Sequence, residues 1–392
     1  MTTLAIPDFC LVILIGASAP QRAAFAARHF RDDERVSAPR AADSTAPLEH
    51  AEAAVAERLS ARRLTIVNGE NRCTEDRRRW LQLARAAHAP AVAVVLDDGV
   101  ATEELLREGF RRVHRLAGAQ TASAAVSRRP LRVDRRPDLG PFDIIGDVHG
   151  CAEELEKLLE LLGYRVERDP AAGEGYRVRP PPGRKAVFVG DLVDRGPRVP
   201  DVLRLVMSMT REGSALCVMG NHDDKLLRWL DGRKVRISHG LEASIEPLER
   251  ESAAFRARVR DFLGGLADHY WLDQGRLCVA HAGLDEEKIG RSSGAVRAFA
   301  LYGDTNGERD EYGLPVRRDW AARYRGATRV VYGHTPVSEA VWRNNTLCLD
   351  TGCVFGGALT ALRYPENELV SVPARRVYYE SLRPFARVAA GS

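Results

Sequence analysis

Gly146-Asp147-Val148-His149-Gly150 sets an Asp and a His two residues apart on a glycine-flanked turn, where both side chains can reach one metal ion. Four other stretches complete such a site. Asp191 lies in Gly190-Asp191-Leu192-Val193-Asp194-Arg195-Gly196, and Asn221 and His222 lie in Gly220-Asn221-His222-Asp223. His281 heads His281-Ala282-Gly283, and His334 lies in Gly333-His334-Thr335-Pro336. Aspartate, asparagine and neutral histidine are hard-to-borderline donors that suit manganese, iron, zinc or nickel better than calcium. Asp147, Asp191, Asn221, His149, His281 and His334 are too many for one ion. They suit two ions about 3.5–4 Å apart sharing a carboxylate, an arrangement used on phosphate esters.

The elements that must position these residues are short apolar strands. Phe142 to Ile145, Lys185 to Val189, Ala215 to Met219, Arg276 to Ala280 and Thr328 to Tyr332 each run into one of the motifs, and Thr346 to Leu349 runs into Asp350. Ligands of open α/β sheets gather outside the carboxyl ends of strands, and buried strands hold those ends rigidly. Leu155, Leu158, Leu159 and Leu162 recur at helical spacing after the first motif, and Gly163 ends that helix. Tyr164 to Arg184 is rich in Pro and Gly and reads as a loop or hairpin.

The region before Phe142 also alternates strand and helix, which argues a parallel sheet with flanking helices. Leu11 to Ile15 reads as a strand, and Gly16 to Arg22 as a turn into a helix, the place of a phosphate-binding loop. That loop needs a second glycine, a lysine and a hydroxyl; Gln21, Arg22 and Ala23 stand there instead, and Pro20 removes a backbone N–H. Working ATP chemistry is therefore not expected. Ala117 to Pro141 turns to small and polar residues and then to Arg128-Arg129-Pro130-Leu131-Arg132-Val133-Asp134-Arg135-Arg136-Pro137, which reads as an extended connector, either solvated or in contact with nucleic acid.

At 392 residues the chain has room for two domains, and 45% hydrophobic with 29% charged residues is ordinary for a globular protein. A net charge of +4 fits an anionic substrate without requiring one. The seven cysteines form no Cys-x-x-Cys pair, and buried free thiols in a reducing cytosol are expected. The apolar run Phe9 to Ile15 is too short for a membrane span, and no basic residue precedes it as in a signal peptide. A cytoplasmic protein without a membrane partner is expected.

The motif set resembles the calcineurin-like metallophosphoesterase superfamily, near its Ser/Thr-phosphatase and dinucleoside-tetraphosphatase branches. The resemblance implies that Asp147 and His149 bind a first metal, that Asp191 bridges, and that Asn221, His281 and His334 bind a second. It implies that Arg195 clamps phosphoryl oxygens and that His222, oriented by Asp194, protonates the leaving oxygen. Many members carry a second His two residues after the Gly-His. Pro336 stands there in this chain, and Asp350 would replace or support that ligand.

A broader resemblance, to the bacterial polynucleotide kinase-phosphatase family of RNA end-repair enzymes, covers the whole chain. It rests on Gly140 to Gly150, Lys185 to Pro197, Phe299-Ala300-Leu301-Tyr302-Gly303, Cys348 to Gly357, Leu359 to Pro373 and Arg383-Pro384-Phe385. The kinase half has lost its phosphate loop, its catalytic aspartate is not recognisable around Ser37-Ala38-Pro39, and a ligase-like domain of that family is not expected. The resemblance implies a degenerate P-loop kinase-like parallel-sheet α/β domain over residues 1–120, a linker over 121–140, and an α/β metallophosphoesterase domain of two packed sheets flanked by helices over 141–392. The expected activity is two-metal hydrolysis of 2′,3′-cyclic, 2′ or 3′ phosphate ends of RNA, with manganese first among the ions. The alternatives are a protein serine/threonine phosphatase and a bis(5′-nucleosyl)-tetraphosphatase. A docking role for the first domain, toward RNA or a separate ligase protein, is the non-enzymatic alternative.

Overall fold

In the computed structural model, which describes residues 2–38, 45–96, 99–169, 171, 173–311, 313, 315–381 and 385, strands with almost wholly apolar sequences carry the architecture. The chain divides into one unit of Met1–Leu131 with Arg291–Ala295 and a second of Arg132–Gly290 with Val296–Ser392. It is an α/β fold of several sheets flanked by helices. Pro39 and the Arg383-Pro384 of the C-terminal match lie outside the described residues.

The first unit holds a five-stranded parallel sheet in the order Arg35–Ser37, Thr65–Asn68, Leu11–Ile15, Ala91–Val95, Arg112–Arg115. Its central strand, Leu11-Val12-Ile13-Leu14-Ile15, is buried at every residue. A parallel strand covered on both faces has no polar alternation, which is why this run is apolar throughout. The helices Ala19–His29, Thr45–Ser60 and Thr74–Ala86 alternate with these strands, as the sequence pattern implies. The short strands Arg35–Ser37 and Arg112–Arg115 were not expected. They are three and four residues long, below the length at which alternation can be read.

The stretch expected to be an extended connector is instead built into both units. Ala125–Arg129 pairs in parallel with Thr3–Pro7 in the first unit, and Asp134–Arg135 pairs with Trp271 and Leu272 in the second. Its arginines therefore have local partners: Arg128 donates to both carboxylate oxygens of Glu34, and Arg135 to Asp138. Charge repulsion along the run, which suggested an extended chain, is relieved by the neighbouring Asp134 and Asp138 and by Glu34, which is 94 residues from Arg128.

The second unit contains two larger sheets. One has the order Ala215–Cys217, Lys185–Phe188, Phe142–Ile145, Ala358–Tyr364, Glu368–Pro373, with its first three strands parallel. The other runs Trp342–Arg343, Thr346–Cys348, Arg329–Tyr332, Leu277–Ala280, His269–Leu272, Asp134–Arg135, with Leu277–Ala280, Arg329–Tyr332 and Thr346–Cys348 parallel. Helix Ala152–Leu161 buries Leu155, Leu158 and Leu159, and helix Val199–Arg211 buries Val202, Leu203 and Val206, in one core with Ile145, Phe188 and Cys217. Each such side chain contributes about 1.5–3 kcal/mol, which fixes the strand ends beneath the motifs. The Pro/Gly-rich stretch after Gly163 is a hairpin of Arg165–Arg168 with Tyr176–Arg179.

All seven cysteines are free; six are buried as expected, and Cys73 is exposed. Among the described residues, no helix is long and apolar enough to cross a membrane.

Candidate metal centre

Each sequence-identified ligand sits just past a strand of the second unit. Asp147, Asp191 and Asn221 follow the three parallel strands of the first of its larger sheets, and His281, His334 and Asp350 follow the three parallel strands of the other. The turns that carry them are tight. His149, Asp191, Asp194, Arg195 and His334 all have positive φ, between 43° and 73°. For residues with a Cβ this costs on the order of 1–3 kcal/mol each and persists only where packing over-determines it. Five such residues in one site mark where the fold holds functional groups against local preference.

Asp191 lies at the centre. Its Oδ2 is 3.5 Å from His149 Nε2, 3.3 Å from His281 Nε2 and 4.0 Å from His222 Nε2. Its Oδ1 accepts the His222 backbone N–H at 3.0 Å. His281 Nε2 is 2.9 Å from Asn221 Oδ1 and 3.0 Å from His334 Nδ1. The other nitrogens assign the tautomers: His149 Nδ1 donates to the Val193 carbonyl at 2.7 Å and His281 Nδ1 to the Val189 carbonyl at 3.0 Å. The His281 Nε2 lone pair then faces the oxygens of Asn221 and Asp191, while that of His149 faces Asp191 Oδ2 and accepts from Arg195. Asp147 accepts the His334 N–H at 3.0 Å through Oδ2, while its buried Oδ1 and His334 Nε2 have no hydrogen-bond partner among the described residues.

The electrostatics point the same way. Burial, and then the Asp350 and Asp191 carboxylates, push Asp147 well above the usual carboxylate range. Burial pushes Asp350 up to about 6. Burial, then Arg195, holds His149 well below the usual imidazole range, and burial, then Arg317, does the same to His334. Burial opposes ionisation of Asp191, yet His281, His222 and His149 hold it well below its usual range. A His281 lone pair facing oxygen acceptors, an Asp147 Oδ1 and a His334 Nε2 without a hydrogen-bond partner among the described residues, and buried carboxylates crowded together fit a bound cation. Two His/Asp clusters can hold one ion each, His149–Asp191–His222 and Asp191–His281–His334, and they share Asp191. The chain thus has two divalent-metal sites of nitrogen and oxygen donors, consistent with a two-metal requirement.

Arg195 lies against this centre. Its Nη1 donates to His149 Nε2 at 2.6 Å and its Nη2 to His222 Nε2 at 2.9 Å. His222 Nδ1 is 2.5 Å from Asp194 Oδ2. Four residues here were not singled out from sequence. Ser244 donates to Asp194 Oδ1 at 2.6 Å and accepts the Asp194 N–H at 2.8 Å, so Asp194 is held on two sides. Asp223, pushed up to about 7 by burial and then by Asp191, accepts the N–H groups of Leu192 and Gly220 at 3.0 Å each and ties two ligand turns together. Phe355 and Tyr379 lie 5.1 Å and 5.9 Å from the Arg195 guanidinium, at cation–π range. Only Asp223 carried a local signal, as the last residue of its motif. Of the remaining histidines, buried His269 accepts the Gly290 N–H and His114 contacts the Ala5 carbonyl, both structural, whereas exposed His239 lies in the field of Arg195 and His222.

The glycines of the motifs are needed for space. A Cβ at Gly333 would collide with the Asp147 carboxylate. Gly333→Ala is expected to displace Asp147 and lower bound metal and activity together, with the far-ultraviolet circular dichroism unchanged. Full metal content in that variant would show that the turn can move aside.

Residues 140–338 match the model of the calcineurin-like phosphoesterase family. The chain is 48% identical over 249 residues to the bis(5′-nucleosyl)-tetraphosphatase PrpE [asymmetrical] of Anoxybacillus flavithermus, covering 62% of this chain and 99% of that relative. It is 47% identical over 249 residues to the protein of the same name from a Geobacillus species, and 43% to that of Bacillus subtilis, each covering 62% of this chain and 99% of the relative. With the paired His/Asp sites, these matches make the protein a metal-dependent phosphoric ester hydrolase, and the chain belongs to the calcineurin-like phosphoesterase family.

Proposed function

We propose that the protein hydrolyses bis(5′-nucleosyl) tetraphosphates into unequal halves. The observation that carries this reading is the 48% identity to a tetraphosphatase along 99% of that relative's length, well beyond the metal motifs. It takes the place of the RNA-end reading, which rested on a resemblance over the whole chain. The motif set serves both substrates equally, and the relatives matched at nearly full length support the dinucleotide.

When bound, a pair of divalent ions polarises phosphoryl oxygens and makes water more acidic. The chain's residues would divide the other tasks. Asp147, His149 and Asp191 would hold one ion, and Asp191, Asn221, His281 and His334 the other, with Asp350 supporting beside Asp147. Arg195 would turn its fork from the two imidazoles to the non-bridging oxygens of the scissile phosphate, which match its geometry. That movement would free His222 Nε2, now 2.9 Å from Arg195 Nη2, to carry a proton to the leaving oxygen. Asp194, fixed by Ser244, would keep the His222 ring in place and stabilise its charged form.

The first unit we read as a nucleotide-kinase-type sheet that no longer transfers phosphate and serves as scaffold or docking module. In support, Arg22 is tied to the turn itself, donating to the carbonyls of Gly16 at 3.1 Å and Ala17 at 2.6 Å, which fills the loop from within.

The test compares diadenosine tetraphosphate, an RNA oligomer ending in a 2′,3′-cyclic phosphate, and a phosphothreonine peptide at equal enzyme and manganese. The dinucleotide is expected to show a kcat/KM higher by orders of magnitude, with one mononucleotide and one nucleoside triphosphate as products. A preference for the RNA or the peptide would overturn the reading and name its replacement.

A further inference from the structure

The segment between helices Asn221–Leu230 and Glu242–Arg250 reads Asp231-Gly232-Arg233-Lys234-Val235-Arg236-Ile237-Ser238-His239-Gly240. Arg233, Lys234 and Arg236 are exposed, and Ile237 is 60% exposed. Arg233 has one distant acid, Asp231 at 3.9 Å, while Lys234 and Arg236 have no acidic partner among the described residues. Elsewhere in the second unit exposed arginines are routinely paired, as Arg177 is with Asp169 and Arg323 with Asp304.

This cationic loop is fastened to the metal centre. The Gly240 carbonyl accepts the Arg195 N–H at 2.9 Å, and a Cβ at Gly240, where φ is +86°, would strike Arg195 itself. Lys225 donates to the Ser238 carbonyl at 2.7 Å and to its hydroxyl at 3.1 Å. Lys225 belongs to the helix that begins with Asn221 and His222, so the loop is tied to the element that carries the proposed acid. His239 lies between. Burial, then Lys225, His222, Arg195 and Arg236, hold its imidazole below the usual range, and none of those neighbours is an acid.

We infer that the 233–239 loop is a subsite for the phosphate chain beyond the scissile phosphate, with Lys234 and Arg236 as its principal cations. The inference rests on the tetraphosphate reading for its substrate, though not for its location. One phosphate in the metal centre leaves three others ionised, and a polyanion placed there needs cations that no carboxylate already neutralises. A loop anchored beside the clamp arginine also limits which phosphate can reach the centre, and so sets the register of unequal cleavage.

The test uses the full chain with manganese and the double substitution Lys234→Ala/Arg236→Ala. Neither side chain touches the metal ligands, so p-nitrophenyl phosphate, which has no chain, should keep its kcat/KM within about twofold. For diadenosine tetraphosphate, KM should rise about 10-fold or more with kcat held, the loss of charge-assisted hydrogen bonds. With p-nitrophenyl phosphate as reporter and manganese in excess, inhibition by tripolyphosphate should weaken similarly while inhibition by orthophosphate does not change. Unchanged tripolyphosphate inhibition, or an equal loss on p-nitrophenyl phosphate, overturns the inference. If the native chain does not cleave the dinucleotide at all, the proposed function fails, and the chain-length dependence of inhibition still decides the subsite.

Discussion

Asp191→Ala is expected to abolish hydrolysis and to strip both ions from the protein. Asp191 is the residue common to the two metal-holding clusters, and it is 2% exposed. Its loss removes a ligand from both sites and leaves the lone pairs of His149 and His281 without the charge that balances a dication. Among the described residues no other belongs to both clusters, so single changes at His149 or His334 should spare one ion. Metal analysis of purified protein checks this: manganese should fall from two per chain to less than one, with a cooperative thermal transition retained. Asp191→Asn refines the test, because its amide oxygen can still accept the His222 N–H while the charge is gone. Retention of both ions in either variant would mean that Asp191 does not bridge.

His222→Ala should have the second-largest effect, and its signature is selectivity. His222 is held by Asp194 at 2.5 Å, and Asp194 by Ser244, an arrangement that steers one imidazole face toward the centre. Loss of a positioned general acid slows reactions by about 10²–10⁴-fold where the leaving oxygen needs its proton. Phenyl or alkyl phosphates should therefore suffer in that range. p-Nitrophenyl phosphate, and diadenosine tetraphosphate with its stable polyphosphate leaving group, should suffer far less. Leaving-group dependence of kcat, measured across a series of aryl phosphates, should steepen in the variant. An equal loss across the series would assign His222 to metal binding, consistent with its place in the His149–Asp191–His222 cluster.

Much of the centre was legible from sequence because its components are local. A short apolar run followed by Gly-Asp, Gly-Asn-His, His-Ala-Gly, Gly-His or Asp-Thr-Gly can be read within eight residues, and six such runs proved to be six strand ends. The long helices were legible for the same reason. The connector was misread because its pairing partners, Thr3–Pro7 and Trp271–Leu272, are over a hundred residues away. The substrate was not legible in the motifs, because two-metal chemistry makes the same demands of a cyclic phosphate, a phosphopeptide and a dinucleotide. Discrimination must come from residues outside the ligand set.

Sequence alone therefore determined the ligand types, their attachment to strand ends and the two-metal chemistry. These follow from donor softness, glycine-bounded turns and hydrophobic runs, all properties of neighbouring residues. Tertiary structure alone decided that four of these residues, Asp147, His149, Asp191 and Asn221, follow strands of one sheet, that His281, His334 and Asp350 follow strands of another, and that Asp191 lies between the clusters. It alone placed Ser244 against Asp194, Asp223 between two turns, and Phe355 and Tyr379 beside Arg195. The reason is physical. Asp194 and Ser244 are 50 residues apart, and Arg195 and Tyr379 much further. Their meeting is fixed by how buried strands and helices pack, and no local pattern in the chain encodes that distance.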